Sequence, residues 1–190
     1  MRGIFLTGPP GSGKTTLVRE LASTLESLGC RVEGIVAPEI REGGKRIGFD
    51  ICALKSLKCW RLARIGCYSK RYVGKYGVCE REAMQAAEHL RNIVSMIDVV
   101  VIDEIGPMEL KVSTLRSAIV EVLYSSKPIV AVIHRRLRYS HPEVYRIILS
   151  IGPILVLTPK RRDAIKREAH TMARVLARAA CRGEGGAGTT

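Results

Sequence analysis

The chain has no apolar run long enough to cross a bilayer. Its longest runs, such as Val99–Ile102 and Ile129–Ile133, are strand-sized, well short of the ~18–20 residues that a membrane helix needs. The first residues, Met1-Arg2-Gly3-Ile4-Phe5-Leu6-Thr7, lack the apolar segment and cleavage site of a secretory signal, so a cytoplasmic protein with no membrane partner is expected. Side-chain amides are scarce. Asn92 and Gln85 are the only two, a depletion found in heat-adapted proteins. The six cysteines (Cys30, Cys52, Cys59, Cys67, Cys79, Cys181) contain no C-x-x-C pair, and spacings of seven, eight and twelve fit no common zinc pattern. They read as structural or free thiols, with an intracellular disulfide admissible if the protein is heat-adapted.

Acidic residues are also in deficit, 18 against 31 Lys+Arg, for a net charge of +13. Such a surplus favours anionic partners, whether nucleotide phosphates, nucleic acid or acidic membrane, although it equally describes the solvated faces of a basic protein. The excess is concentrated in two stretches, Arg41–Arg81 and Arg135–Arg178, each with eleven basic and three acidic residues. With 46% apolar and 26% charged residues over 190 positions, the composition is that of one globular domain. That domain is expected to span 1–181, followed by a Gly-rich, disordered tail at 182–190.

What is present is an alternation of strand and helix patterns. Ile4–Thr7 reads as a buried strand, Lys14–Leu28 as a helix with leucines at helical spacing, and Val32–Val36 as a strand. Two extended arms, Ala37–Arg41 and Arg46–Leu54, flank the turn Glu42-Gly43-Gly44-Lys45, so 37–54 is expected to be an inserted β-hairpin. The basic, aromatic-bearing stretch 55–79 has no clean period and reads as mostly loop with a short helix near Leu57–Ile65. Helices follow at Glu80–Ser95, Met108–Tyr124, Pro142–Ser150 and Arg162–Ala180, with strands at Val99–Asp103, Ile129–Ile133 and Ile154–Leu157. Crossover connections of this kind predict an α/β fold, a mostly parallel sheet with helices on both faces.

The segment Gly8-Pro9-Pro10-Gly11-Ser12-Gly13-Lys14-Thr15 matches G-x-x-x-x-G-K-[ST] between a strand and a helix. Its glycines let successive N–H groups point at phosphate oxygens, and the helix start adds its positive end. Lys14 is expected to reach the β- and γ-phosphates, and the Thr15 hydroxyl to ligate Mg²⁺. The apolar strand Val99-Val100-Val101-Ile102 ends in Asp103, a Walker B pattern whose Asp would hold the same Mg²⁺. Glu104 follows directly. A carboxylate there takes a proton from an attacking water, which tilts the reading toward hydrolysis; the bland reading is a solvated acid at a strand end. His134, at the end of the next strand, is either a γ-phosphate sensor or an ordinary polar strand end. Arg135, Arg136 and Arg138 offer a cation for the charge that develops in transfer, or are simply solvated.

With these residues the sequence resembles the small THEP-type nucleoside-triphosphatases. The resemblance is carried by the P-loop and by Gly34–Arg41, Arg46-Ile47-Gly48-Phe49-Asp50, Val73–Val78 and Ile102–Leu110, and runs to about residue 134. It implies a RecA-like core and slow, Mg²⁺-dependent hydrolysis of the γ-phosphate of ATP, GTP, CTP and UTP or TTP, with little preference among bases. It further implies that 8–15 with Thr16, and 99–106 (Val99, Val100, Val101, Ile102, Asp103, Glu104, Ile105, Gly106), line the nucleotide. Pro38 stands where the family usually has Thr. The resemblance implies a base-side contact by Arg162, on the weaker match of the segment, since Arg161-Arg162-Asp163 stands where the family tends to have Asn-Arg-Asp. Lys75 and Tyr76 match a family block whose position suggests closure over the nucleotide. Two other readings compete: a small nucleotide or metabolite kinase, and a nucleic-acid-associated NTPase switch motivated by Trp60, Tyr68, Tyr72 and Tyr76 among basic residues. Oligomeric state is not legible.

Overall fold

The computed structural model describes residues 1–56 and 58–181; the tail 182–190 expected to be disordered, and Leu57, lie outside the described residues. Ile4, Phe5 and Leu6, all fully buried, form the centre of β1 (Gly3–Thr7). After the P-loop comes α1 (Lys14–Ser27), whose Leu17, Val18, Leu21 and Leu25 form the buried stripe that helical spacing predicts. Next are β2 (Val32–Val36), β3 (Glu39–Glu42) and β4 (Lys45–Ala53), then β5 (Cys59–Arg64), β6 (Tyr72–Val73) and β7 (Tyr76–Val78). The second half runs α2 (Glu80–Val94), β8 (Val99–Ile105), α3 (Pro107–Lys111), α4 (Ser113–Tyr124) and β9 (Ile129–Ile133). It closes with α5 (Leu137–Ser140), α6 (Pro142–Ile151), β10 (Ile154–Val156), a single 3₁₀ turn and α7 (Arg162–Ala180).

Five strands form a parallel core in the order β10-β1-β9-β8-β2, and β9 lies between the P-loop strand and the Walker B strand. One face is covered by α1 and α7, the other mainly by α2, α4 and α6, so β8 and β9 are buried on both sides and read as continuous Val/Ile runs. Gly34 on β2 sits against β8: a Cβ there would lie 1.8 Å from the Val101 carbonyl oxygen, so only glycine allows this approach two residues before Asp103.

The hairpin β3–β4 does more than interrupt the alternation. β4 pairs antiparallel with β2, and β5, β7 and β6 continue outward from it, making an antiparallel extension of the same sheet. The stretch 55–79 thus carries three strands among its loops, and no helix covers the described part of 57–65. Trp60 and Leu62 point inward while Cys59 and Arg61 are exposed, a period of two that charged residues on the outer face hide from a search for apolar runs. Asp50 and Arg64, both largely buried, form a 2.5 Å ion pair that ties β4 to β5. The helix expected over Met108–Tyr124 is two helices. Val112 adopts an extended ψ of 114° to bury its side chain, with no Gly or Pro to announce the break.

The cysteines pair across the fold. Cys30 is bonded to Cys181, joining the start of β2 to the end of α7, and Cys52 to Cys59 across β4 and β5. Cys67 and Cys79 are free thiols with sulfurs 3.0 Å apart; burial, then Cys67 itself, pushes the Cys79 thiol up to about 12.

Candidate active site

The P-loop connects a fully buried strand to a helix whose first turn carries no acidic residue and no side-chain cap. The first backbone N–H groups of α1 thus point at the loop with no partner of their own, which is the electrostatic requirement for holding phosphate. Gly13 has φ of 91°, and a Cβ on it would fall 2.5 Å from the Arg162 guanidinium, so glycine is needed for backbone and for space alike. Lys14 Nζ donates to the carbonyls of Gly8 (3.1 Å) and Pro9 (2.9 Å), folded back over the loop it would leave for a phosphate.

Across the loop, β8 delivers two adjacent carboxylates. In a regular strand Asp103 and Glu104 would point to opposite faces. The register of β8 against β9 shifts between Asp103 and Ile105, and this irregularity at Glu104 lets both side chains line one cleft. Asp103 is 6% exposed, and its carboxylate accepts a hydrogen bond from the Thr15 hydroxyl at 3.3 Å. Burial holds its pKa above the ordinary carboxylate range, against the pull of Thr15, Arg19 and Lys14. Glu104 is likewise raised, by burial first, with Lys14 opposing and Glu39 reinforcing. Beneath them lies Glu109, fully buried and pushed up to about 8 by burial and by Glu104. The backbone at Glu109 and Gly106, at the start of α3, pulls against that rise.

The cleft, of about 580 Å³, is bounded by the P-loop residues Gly8, Pro10, Gly11, Lys14 and Thr15 on one side. The opposite wall comes from the antiparallel extension, chiefly Glu39, Arg46, Phe49 and Val73, with Glu104 and His134 at its floor. The Arg136 N–H donates to His134 Nδ1 at 3.3 Å, which assigns the ring proton to Nε2. Burial, then Arg135, Arg136 and Lys14, lowers the His134 pKa, so the ring is a neutral N–H donor.

Not every expected residue reaches this space. Val99–Ile102 and Ile105 are buried in the sheet and carry the carboxylates rather than face the cleft. Ser12 is buried with an unpartnered hydroxyl, and Thr16 faces a separate shallow groove between α1 and α7 beside Glu20 and Lys166. Arg135 lines the cleft; Arg136 and Arg138 do not, and Arg138 stacks on Tyr139 at 4.3 Å. Lys75 and Tyr76 stand behind the wall: Tyr76 meets Phe49 edge-on at 5.3 Å, while Val73 reaches the cleft. Arg19, Glu39, Arg46 and Glu109 are cleft or subjacent residues not singled out from sequence. Glu39, Arg46 and Glu109 lie inside the family-like blocks, but nothing in their spacing says that they converge on Lys14.

Thr15 and Asp103 offer a hydroxyl and a buried carboxylate, the hard oxygen donors that Mg²⁺ takes, and a carboxylate this buried wants a cation. Among the described residues no group of three or more His, Cys, Asp or Glu side chains is placed to hold a metal alone. That suits an ion bound by one or two protein oxygens together with substrate phosphates. No helix among the described residues is long and apolar enough to cross a membrane.

Comparison with known proteins agrees with this geometry. The nucleoside-triphosphatase THEP1 of Saccharolobus solfataricus is 37% identical over 165 residues, covering 87% of this chain and 89% of the relative. THEP1 of Ignicoccus hospitalis is 41% identical over 166 residues, 86% and 92% of the two chains. Among solved structures, THEP1 from the hyperthermophile Aquifex aeolicus superposes with a TM-score of 0.72 at 30% identity, over 90% of this chain and 98% of that one. A human cancer-related nucleoside triphosphatase gives 0.73 at 32% identity, over 92% and 98%. The NTPase family profile matches residues 3–170, nearly the whole described chain, and the protein belongs to that family.

Proposed function

We propose that the chain is a Mg²⁺-dependent nucleoside-triphosphatase converting NTP and water to NDP and phosphate. The observation that carries this reading is Glu104, a carboxylate turned by the β8 irregularity into the cleft that faces Lys14. Thr15 and Asp103 would hold Mg²⁺, which supplies positive charge to the β- and γ-phosphate oxygens. The loop N–H groups and Lys14 bind and orient the triphosphate. Glu104 takes a proton from the attacking water as its oxygen bonds to the γ-phosphorus; the bond to the bridging oxygen breaks and that oxygen leaves on NDP with the electron pair. His134 donates its Nε2–H to a γ-phosphate oxygen. On this reading turnover is slow. Base tolerance follows if Arg162 stacks on the base, since every base has a π-face. Nucleoside triphosphates being cytoplasmic metabolites, the site of action is the cytoplasm.

Phosphate release with Mg²⁺ and each of ATP, GTP, CTP and UTP is expected at similar rates, and Lys14→Ala is expected to lower all four about 10²-fold or more, as loss of one preorganised cation does. Strong preference for one base removes the stacking role of Arg162. NDP formed only when a hydroxyl acceptor is added, with the phosphoryl group on that acceptor and no free phosphate, makes the protein a kinase.

One surface favours a second activity. Tyr68 is fully exposed and Tyr72 half exposed, among Lys70, Arg71 and Lys75 on the outer edge of the extension, the combination that stacks and neutralises single-stranded nucleic acid. Anisotropy titration with a fluorescent single-stranded oligonucleotide is expected to show binding at low salt that weakens steeply as salt rises. No binding at low salt ends this reading.

A further inference from the structure

Lys14 brings a full positive charge to the cleft from the P-loop side, and the opposite wall carries another. Arg46 projects from β4 into the cleft beside Phe49, its guanidinium 5.3 Å from the ring centroid. Its Nη2 is held by Glu39 Oε1 at 2.6 Å, while the other oxygen of that carboxylate is taken by Arg41 at 2.9 Å. Arg46 Nε is buried and has no acceptor. The side chain as a whole is 40% exposed, so the guanidinium keeps an N–H donor without a partner and open access for an anion.

The neighbours say which anion. Glu39 lies near enough to Glu104 to raise its pKa, and Lys14 near enough to lower it, so the cleft holds two carboxylates between two cations, Lys14 on one wall and Arg46 on the other. A γ-phosphate entering between Lys14 and Arg46 meets two cations and displaces one carboxylate. Phe49 fixes the plane of the guanidinium, Tyr76 backs Phe49, and the Asp50–Arg64 ion pair stiffens the strand, so the fork is aimed before substrate arrives. Among the other arginines, Arg138 is committed to Tyr139, Arg136 lies outside the cleft, and Arg19 and Arg135, which line it, are both exposed.

We propose that Arg46 is the catalytic arginine of this enzyme in cis, and that Glu39 is its resting counter-ion, exchanged for γ-phosphate oxygens when a triphosphate binds. The exchange breaks no covalent bond and moves no proton. Arg46 stays charged throughout and donates N–H groups to the γ-phosphate as negative charge spreads over it. This inference rests on the hydrolytic reading of the site. It makes the antiparallel extension part of the active site rather than an appendage, because without β4 the cleft has no second cation on that wall.

The test compares wild type, Arg46→Ala, Arg46→Lys, Glu39→Gln, Arg135→Ala and Arg41→Ala, each checked by thermal melting. The readouts are single-turnover phosphate release and binding of two probes: a non-hydrolysable triphosphate analogue, and Mg–NDP with aluminium fluoride. Arg46→Ala is expected to slow release about 10³-fold, to bind the triphosphate analogue within about tenfold of wild type, and to lose the aluminium fluoride complex. Free guanidinium ion restores part of its rate, and Arg46→Lys recovers little. Glu39→Gln binds triphosphate more tightly, because a competing carboxylate is gone. Arg41→Ala, which also loses a contact to Glu39, stays within about threefold and controls for damage to the hairpin. The proposal is overturned if Arg46→Ala turns over within threefold of wild type, or if Arg135→Ala shows these losses in its place. If wild type releases no phosphate from any triphosphate, the hydrolytic reading itself has failed, a result the wild-type arm reports by itself.

Discussion

Glu104→Gln is expected to bind Mg–nucleotide as wild type does while releasing phosphate 10²–10⁴-fold more slowly, about the range that positioned proton transfer contributes. Gln has the shape of Glu and still orients a water, so what the substitution removes is the capacity to take a proton. Glu104 suits the role because it is half-buried beside Lys14, with Asp103 adjacent to secure the cation. Burial raises its pKa, which makes it a better base than an exposed carboxylate once it is ionised. The active form is the deprotonated one. The rate should therefore climb with pH as Glu104 loses its proton and level off above, whereas the residual rate of the Gln variant should lack that acidic limb. Asp103→Asn provides the contrast, since weakening the cation site raises the Mg²⁺ concentration needed for half-maximal rate. If Glu104→Gln instead loses nucleotide affinity and keeps its turnover, Glu104 is a binding group and water is activated elsewhere.

The second large effect concerns stability. The Cys30–Cys181 bond spans 151 residues, so on the chain-entropy relation it removes about 5 kcal/mol of conformational freedom from the unfolded state, against about 2.5 kcal/mol for Cys52–Cys59 with its separation of seven. Cys181→Ser is the cleaner variant, because Cys181 is half-buried whereas Cys30 is 6% exposed and a serine there would bury a hydroxyl. Its unfolding free energy, from denaturant titration without reductant, should fall by about 3–5 kcal/mol. Alkylation of the unfolded, unreduced protein should count two thiols in wild type, Cys67 and Cys79, and three in the variant. Hydrolysis at 25 °C should be unaffected, because the bond joins the far ends of β2 and α7. A variant within 1 kcal/mol of wild type would mean that the bond is not formed in solution.

These two predictions differ in where their grounds lie. The P-loop, Asp103 and Glu104 are legible in sequence because each role depends on near neighbours. A glycine-rich turn must precede a helix for its N–H groups to converge, and a strand buried on both faces must be a continuous apolar run that ends where the carboxylates emerge. The five core strands and most helices are legible for the same reason, their apolar spacing being set within ten or fifteen residues. β5 escaped because its inward set is small and its outward positions are charged. The split at Val112 escaped because it serves the burial of one side chain. The cysteine spacings gave no pairing, since Cys30 meets Cys181 only after α7 packs on α1.

Local periodicity and backbone freedom at a few glycines suffice to read the glycine-rich loop, the carboxylates at a strand end and the order of the elements that carry them from sequence. The tertiary structure alone decided that β4 folds back on β2 and brings Glu39, Arg46 and Phe49 opposite Lys14, that a register shift aims Glu104 into the same cleft, and that Arg162 closes on Gly13. Those juxtapositions join positions tens to well over a hundred residues apart, and such contacts are chosen by the packing of whole sheets and helices, on which local spacing is silent.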